Sequence, residues 1–397
     1  MYNAVDFNAG VVAAGEAQIE STVTGNDSAL STNDVNLALR DQSQVYLPIN
    51  NALSNVGHVH GFLVELGQGV QHVASRVADL PVFVQRGNDM RQITGEGFTF
   101  LNIPRSYYGV LFQDHLIKND YHNDFALLSP ACAGVVMDVC HKNGIVTSDG
   151  AVNLDLSRKD IVNLLDNDIP AMHQYEYVAS KGTVVDTILQ SRYINLYALL
   201  HDHLSEESYL QIVRNQILID VQGDDLLMQI FTSNILQRRV GDEAPFFEFI
   251  QRVCSECRDE DGFPATIKPG CGGFGIRNFL TLFLSIEVSK AMLEASLAKA
   301  EGDEERCAYA QSMVDVFRAQ LDESNPILTE ISNAMTQEGN IKAQIERAVA
   351  LNNNEALQNL RIKLAEAGEA KAYGNQMLME CSTKYCNMMR KLRESRK

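Results

Sequence analysis

Between residues 17 and 50 apolar and polar positions alternate, which predicts strands at QIESTV, NLALR and QVYLPIN. GQGVQHVASRV at 67–77 is a β-branched run opened by Gly69, and reads as another strand. ADLPVFVQRGNDMRQ has helical spacing. GFTFLNI at 97–103 predicts a strand stopped by Pro104. NQILIDV (215–221) and DLLMQIFT (225–232) predict a hairpin across Gln222-Gly223-Asp224, and PFFEFIQRV (245–253) predicts one more strand. Residues 67–253 thus read β, α, β, a long interruption, then β, β, β.

The interruption, 109–202, mixes helical stretches (DLSRKDIVNLLDND, TVVDTILQSRYINLYALLHDH) with turn residues, and a segment of that length must carry its own structure. From 284 onward Ala, Glu, Leu and Lys dominate, which predicts a helical bundle or helical hairpin. Breaks are expected at Glu301-Gly302, Asn325-Pro326 and Gly339-Asn340. The basic end MMRKLRESRK suits a helix C-terminus.

Composition narrows the functions. The 397 residues are 45% hydrophobic and 21% charged, an ordinary globular balance with material for two or more cores. A net charge of −18 argues against nucleic-acid and anionic-membrane partners. The first twenty residues carry acids and no basic segment, so they read as neither a signal nor a transit peptide. No apolar run reaches spanning length. Eight cysteines in such a chain are expected to be reduced thiols, which implies a cytoplasmic protein.

The glycine-rich stretch PGCGGFGIRNFLTLF (269–283) invites comparison with a phosphate cradle, but Ile276-Arg277-Asn278 stands where a P-loop needs Gly-Lys-Ser/Thr. A dinucleotide fingerprint fails too, because Pro269 rather than a strand precedes the glycines. Cys254-Ser-Glu-Cys257 has only Cys271 nearby, so a zinc knuckle lacks its fourth ligand. A sharper signal is a carboxylate, Glu248, set among Phe246, Phe247 and Phe249. An ionised group there is costly unless neutralised, and a divalent metal would do so. His72 in the strand GVQHVA could join it, giving two thirds of a 2-His-1-carboxylate facial triad for non-haem Fe(II). The plainer reading is a solvent-facing Glu and a satisfied core His.

The motifs VYLPIN, GVQHVA, LNIPRSYY, LLMQIFT, FFEFIQRV and PGCGGFGIRNF, in this order, resemble the 4-hydroxyphenylpyruvate dioxygenase family. The resemblance covers about 17–108 and 203–284, and implies an α+β fold of paired βαβββ modules of the vicinal-oxygen-chelate type. Implied segments are a partial module at 1–54, a catalytic module at 55–108 and 203–284, an insertion at 109–202, and a helical tail at 285–397. His72 matches an iron histidine and Glu248 the iron glutamate. Gln229 matches a glutamine near the metal, and Asn50 a polar residue of the substrate pocket. Phe246, Phe274, Asn278, Phe279 and Leu282 match the aromatic wall and its closing helix, with GCGGFG as the hinge before that helix. The implied reaction is Fe(II)-dependent conversion of an aryl α-keto acid, 4-hydroxyphenylpyruvate, with dioxygen to homogentisate, in tyrosine and phenylalanine catabolism.

The chain departs from the pattern in several places. The family's first iron histidine belongs upstream of the Asn50 position, and the chain begins too late to hold it, which implies an N-terminally truncated form. A serine of the family pattern falls near Val35 and a glutamine near Gly57 or His58. Candidate replacements for the missing ligand are His58 and His60, in GHVH on one strand face, and then His201 and His203. The unpaired edge left by the missing strand predicts association of copies. The alternative function is a catalytically impaired homologue acting as a binding or scaffold protein.

Overall fold

A computed structural model of the chain describes residues 3–26, 45–117, 128–201, 204–222, 225–233, 242–254 and 276–396. The chain divides into unit 1, Met1–Asn102 with Ile217–Lys397, and unit 2, Ile103–Gln216.

Unit 1 contains two sheets. In the first, β1 (Asn3–Ala14), β2 (Ala17–Asn26) and β3 (Val45–Ala52) pair antiparallel in that order. The second holds β4 (His72–Arg76), β5 (Thr99–Phe100), β6 (Leu218–Gln222), β7 (Asp225–Ser233) and β8 (Phe246–Cys254). Its order is β4-β8-β7-β5, with β6 also on β7. Since β5 pairs with the end of β7 and β6 with its start, the two share one edge position. With the helix at Leu80–Thr94 between β4 and β5, the order is that of a βαβββ unit.

Two helices belong to this framework. α1 (His58–Leu66) starts at Gly57, whose φ is 97° and whose added Cβ would lie 2.5 Å from that of Ala17. The expected GHVH strand is therefore a helix. Its first turn is capped from far along the chain, since the His58 N–H donates to Glu287 Oε1 at 2.8 Å. α2 (Leu80–Thr94) is specified locally: Asp79 accepts from the Val82 N–H, Pro81 stands at the start, and left-handed Gly95 ends it. It packs on one sheet face, with the Phe83 and Phe249 rings 4.5 Å apart.

Unit 2 is helical: α3 (Gln113–Ile117), α4 (Pro130–Lys142), α5 (Arg158–Asp168), α6 (Ala171–Gln190), α7 (Ile194–Leu200) and α8 (Glu206–Arg214). It has its own core, with Leu116, Val136, Ile161, Leu165, Val184 and Ile188 buried together. Ser129, Ser157 and Ser205 cap three of these helices, and Ser157 with Asp160 completes a capping box.

Three helices close unit 1: α9 (Ile276–Glu301), α10 (Glu304–Ala350) and α11 (Asn354–Glu394). The break at Gly302 is present, but α10 runs through Pro326 and Gly339, where breaks were expected. Burial explains the continuity. Leu321, Leu328 and Ile331 flank the proline and are sunk into the core, while Pro326 itself faces solvent. Val12 and Ile19 of the first sheet pack on Leu280, Phe283 and Leu284 of α9 and Phe317 of α10. Among the described residues no helix is long and apolar enough to cross a membrane.

Candidate metal centre

Residues opposite one another across paired strands point to the same side of a sheet. His72 is opposite Phe246, and Ala74 opposite Glu248, in the parallel β4–β8 pair. Phe231 is opposite Glu248, Gln229 opposite Ile250, and Leu218 opposite Gln229. One face therefore presents His72, Glu248, Gln229, Phe231 and, two residues past Leu218, Asp220. Phe247 and Phe249 point the other way, toward α2.

On the first face, His72 Nε2 lies 3.5 Å from Glu248 Oε2. Glu248 is 0% exposed. Its other oxygen accepts from the Gln229 side-chain amide. Gln229 Oε1 accepts in turn from Asn278 Nδ2 at 2.6 Å, and the Asn278 N–H donates to Asp220 Oδ2 at 3.4 Å. This relay fixes the Gln229 amide with its N–H₂ toward the carboxylate. Phe246 stacks on the His72 ring, centroids 4.8 Å apart and planes 8° from parallel. Burial, aided by the nearby His58, pushes the His72 pKa down to about 4, so its imidazole is neutral at neutral pH. A neutral imidazole and a carboxylate are metal-ready donors.

His72, but not Glu248, borders a cavity of about 20 Å³, roughly one water in size. Pro48 and Asn50 line it from β3, His72 and Phe246 from the second sheet, His58 from α1, and Phe279, Leu282 and Phe283 from α9. Asn50 Oδ1 is buried with no hydrogen-bond partner among the described residues, so it offers an acceptor to whatever fills the space. A second cavity of about 200 Å³ shares His58, Gln71, Phe246 and Leu282 with the first, and Lys290, paired with Glu243, lines it too.

The structure thus brings together His72, Glu248, Gln229, Asn278, Asn50, Phe246, Phe279 and Leu282. Phe274, His203, Cys257 and Cys271 lie outside the described residues. His58 is on the cavity wall, but its Nδ1 is 3.3 Å from Glu287 Oε1 and its ring meets Phe283 edge-on at 4.5 Å. Burial opposes ionisation of Glu287, yet the hydrogen bonds and charge of His58, with Lys290, hold its pKa below the usual range. His60 is half-buried two residues after His58, on nearly the opposite side of that helix, and His201 belongs to unit 2. Among the described residues no three His, Cys, Asp or Glu side chains gather as a metal cage. The donor set accordingly fits a divalent ion in part. A separation of 3.5 Å lets one cation touch both groups at the usual ligand distance of about 2.0–2.2 Å, and other ligands must complete it.

Sequence reasoning missed Asp220 and Arg277. Both are buried; Arg277 donates to Thr329 Oγ1 at 2.6 Å, and burial raises the Asp220 pKa although the Arg277 charge opposes that rise. Their signal was a lone charge in each of two apolar runs, ILIDV and IRNFL, the same signal that singled out Glu248.

No family model matches the chain. It is 43% identical over 106 residues to 4-hydroxyphenylpyruvate dioxygenase of Plectranthus scutellarioides, which is 26% of this chain and 23% of that one. The enzyme of the same name from Arabidopsis thaliana is 40% identical over 104 residues, 26% of this chain and 22% of that one. The chain therefore spans about a quarter of the length of the curated relatives it matches. A solved mutant of 4-hydroxymandelate synthase from Streptomyces coelicolor superposes with a TM-score of 0.33 at 14% identity, over 70% of this chain and 44% of that one, too distant to carry an argument. Over that quarter of its length, the chain is similar to the 4-hydroxyphenylpyruvate dioxygenases.

Proposed function

We propose that the His72–Glu248 pair is part of a non-haem Fe(II) centre and that the protein is a dioxygenase acting on an aryl α-keto acid, 4-hydroxyphenylpyruvate. The observation that carries this reading is a fully buried carboxylate 3.5 Å from a neutral imidazole that itself lines a cavity with aromatic walls. Bound Fe(II) would supply the Lewis acidity and redox capacity that oxidative decarboxylation of an α-keto acid with dioxygen requires.

The chain's own residues prepare the site. The Gln229 amide occupies one oxygen of Glu248 and leaves the other turned to His72. The Phe246 ring fixes the plane of the imidazole. Asn50 Oδ1 would accept a hydroxyl proton donor from the ligand. Phe279 and Leu282 stand on a helix over the sheet and exclude water. Because the cavity holds roughly one water, an aryl ring enters only if these side chains move toward the neighbouring 200 Å³ space.

The test combines anaerobic iron binding with oxygen uptake on 4-hydroxyphenylpyruvate. Wild-type chain should bind Fe(II), and Phe279→Ala should weaken keto-acid binding while leaving iron affinity nearly unchanged. Equal loss of both would reduce α9 to a structural element. The absence of a three-ligand group among the described residues favours a second reading, an impaired homologue that binds without turnover. Keto-acid binding without oxygen uptake in iron-loaded protein would select it.

A further inference from the structure

Unit 2 holds a cavity of about 410 Å³ that has no part in the metal centre. On its wall lies Arg192, only 3% exposed. One guanidinium nitrogen donates to the Leu156 carbonyl at 2.6 Å, and Nε has no hydrogen-bond partner among the described residues. A buried guanidinium so incompletely satisfied is costly and calls for an acceptor. Burial lowers its pKa, and Glu206 is near enough to oppose that drop. The first turns of α5, at Ser157 and Arg158, and of α8, at Glu206, also reach the cavity. Both helix N-termini add positive potential.

We propose that this cavity binds a small zwitterion, an α-amino acid with an apolar side chain, its carboxylate on Arg192 and its ammonium group toward Glu206 and Asp186. Arg192 and the helix N-termini favour an anion. Asp186 and Glu206 line the same space and would repel a bare anion, so a ligand with a cationic group suits them better. The Arg158–Asp186 pair does not change this, because both partners are half exposed and such pairs are weak. Leu154, Leu189, Leu210 and Tyr193 provide apolar wall for a side chain. An inorganic anion would satisfy Arg192 and leave the acids and the leucines without a role.

The experiment is calorimetric titration of the full chain with L-phenylalanine and L-leucine. Three further probes each lack one feature: 3-phenylpropionate has no ammonium group, 2-phenylethylamine has no carboxylate, and inorganic phosphate has neither ammonium group nor side chain. The two amino acids should bind saturably and more tightly than all three, with or without iron. Arg192→Gln should weaken amino-acid binding about tenfold or more. Glu206→Gln, an exposed position that does not threaten the fold, should weaken L-phenylalanine by about two- to fivefold and should not weaken 3-phenylpropionate, which it relieves of a like charge. If Arg192→Gln loses its helical circular dichroism, Glu206→Gln alone decides. No heat from either amino acid, phosphate or phenylethylamine binding as tightly as they do, or a Glu206→Gln variant indistinguishable from wild type would overturn the proposal.

Discussion

Replacing Glu248 by Gln separates the fold's interest in that position from the metal's. The carboxylate is 0% exposed, on a strand between Phe247 and Phe249 and beside Phe246. A Gln amide has the same shape. Its oxygen can accept from Gln229, and its N–H₂ can donate to the neutral His72 Nε2. Removing a buried charge while keeping these hydrogen bonds should therefore stabilise the metal-free protein, by about 1–3 kcal/mol. For a unit of this size 1 kcal/mol moves the melting temperature by roughly 2–4 °C, so the metal-free variant should melt a few degrees higher. With metal the order reverses. A wild-type protein at a metal concentration 100 times its Kd gains about 2.7 kcal/mol from binding, and the variant, lacking the anionic ligand, should lose most of that gain. The assay is thermal unfolding under nitrogen with and without Fe(II), or with Co(II) as a redox-stable substitute. A variant less stable than wild type in both conditions, or one that keeps the full metal-induced shift, would refute the reasoning.

Glu287→Gln should destabilise unit 1 at neutral pH by about 1–2 kcal/mol. Because the carboxyl is held below its ordinary value of 4.5, its contribution is present above that pH and lost on acidification. The gap to wild type in urea melts should close as pH falls below 4.5, and a pH-independent gap would contradict it. Pro326→Ala restores a missing N–H in the middle of a long helix at a solvent-facing site, and should stabilise the chain by about 1–3 kcal/mol in thermal melts. Gly109→Ala should destabilise unit 2 by about 3 kcal/mol or more, since φ is 155° and the new Cβ would lie 2.4 Å from the Ser191 carbonyl; hydrogen exchange should rise within 103–216.

The sheet bearing His72 and Glu248 was legible where its signals are local. Phe246, Glu248 and Ile250 alternate with Phe247 and Phe249, and NQILIDV and DLLMQIFT flank a polar turn, so period two and punctuation sufficed. Glu248 itself stood out because a charge among phenylalanines contradicts its surroundings. What failed depends on distant contacts. His58 starts a helix because Glu287, remote in sequence, caps it, and no local pattern in GHVH records that. β1 escaped notice because NAVDFNAGVVAA is rich in Asn, Ala and Gly, and becomes a strand by pairing with β2 along its length. Pro326 and Gly339 have the sequence signature of helix ends, but the core contacts of Leu321, Leu328 and Ile331 outweigh a missing hydrogen bond. The Asp220–Asn278–Gln229 relay joins three elements and is visible only in space.

The strands bearing His72 and Glu248 are direct neighbours in the sheet, yet all of unit 2 is spliced between them. The ends of that unit are tied to each other, since the Ile103 N–H donates to Gln216 Oε1 at 2.8 Å. This has a kinetic meaning. If unit 2 were a random coil, bringing the two strands together would mean closing a loop of roughly 175 residues, whereas a folded, stapled unit shortens the flexible chain to about a third and saves about 1 kcal/mol of closure entropy. Non-local pairing is the slow part of folding, so the parallel β4–β8 contact should wait for unit 2. The time to assemble the His72–Glu248 pair is then set by a segment far from it in function, and a lesion there such as Gly109→Ala would delay the pair's formation while leaving its final geometry intact.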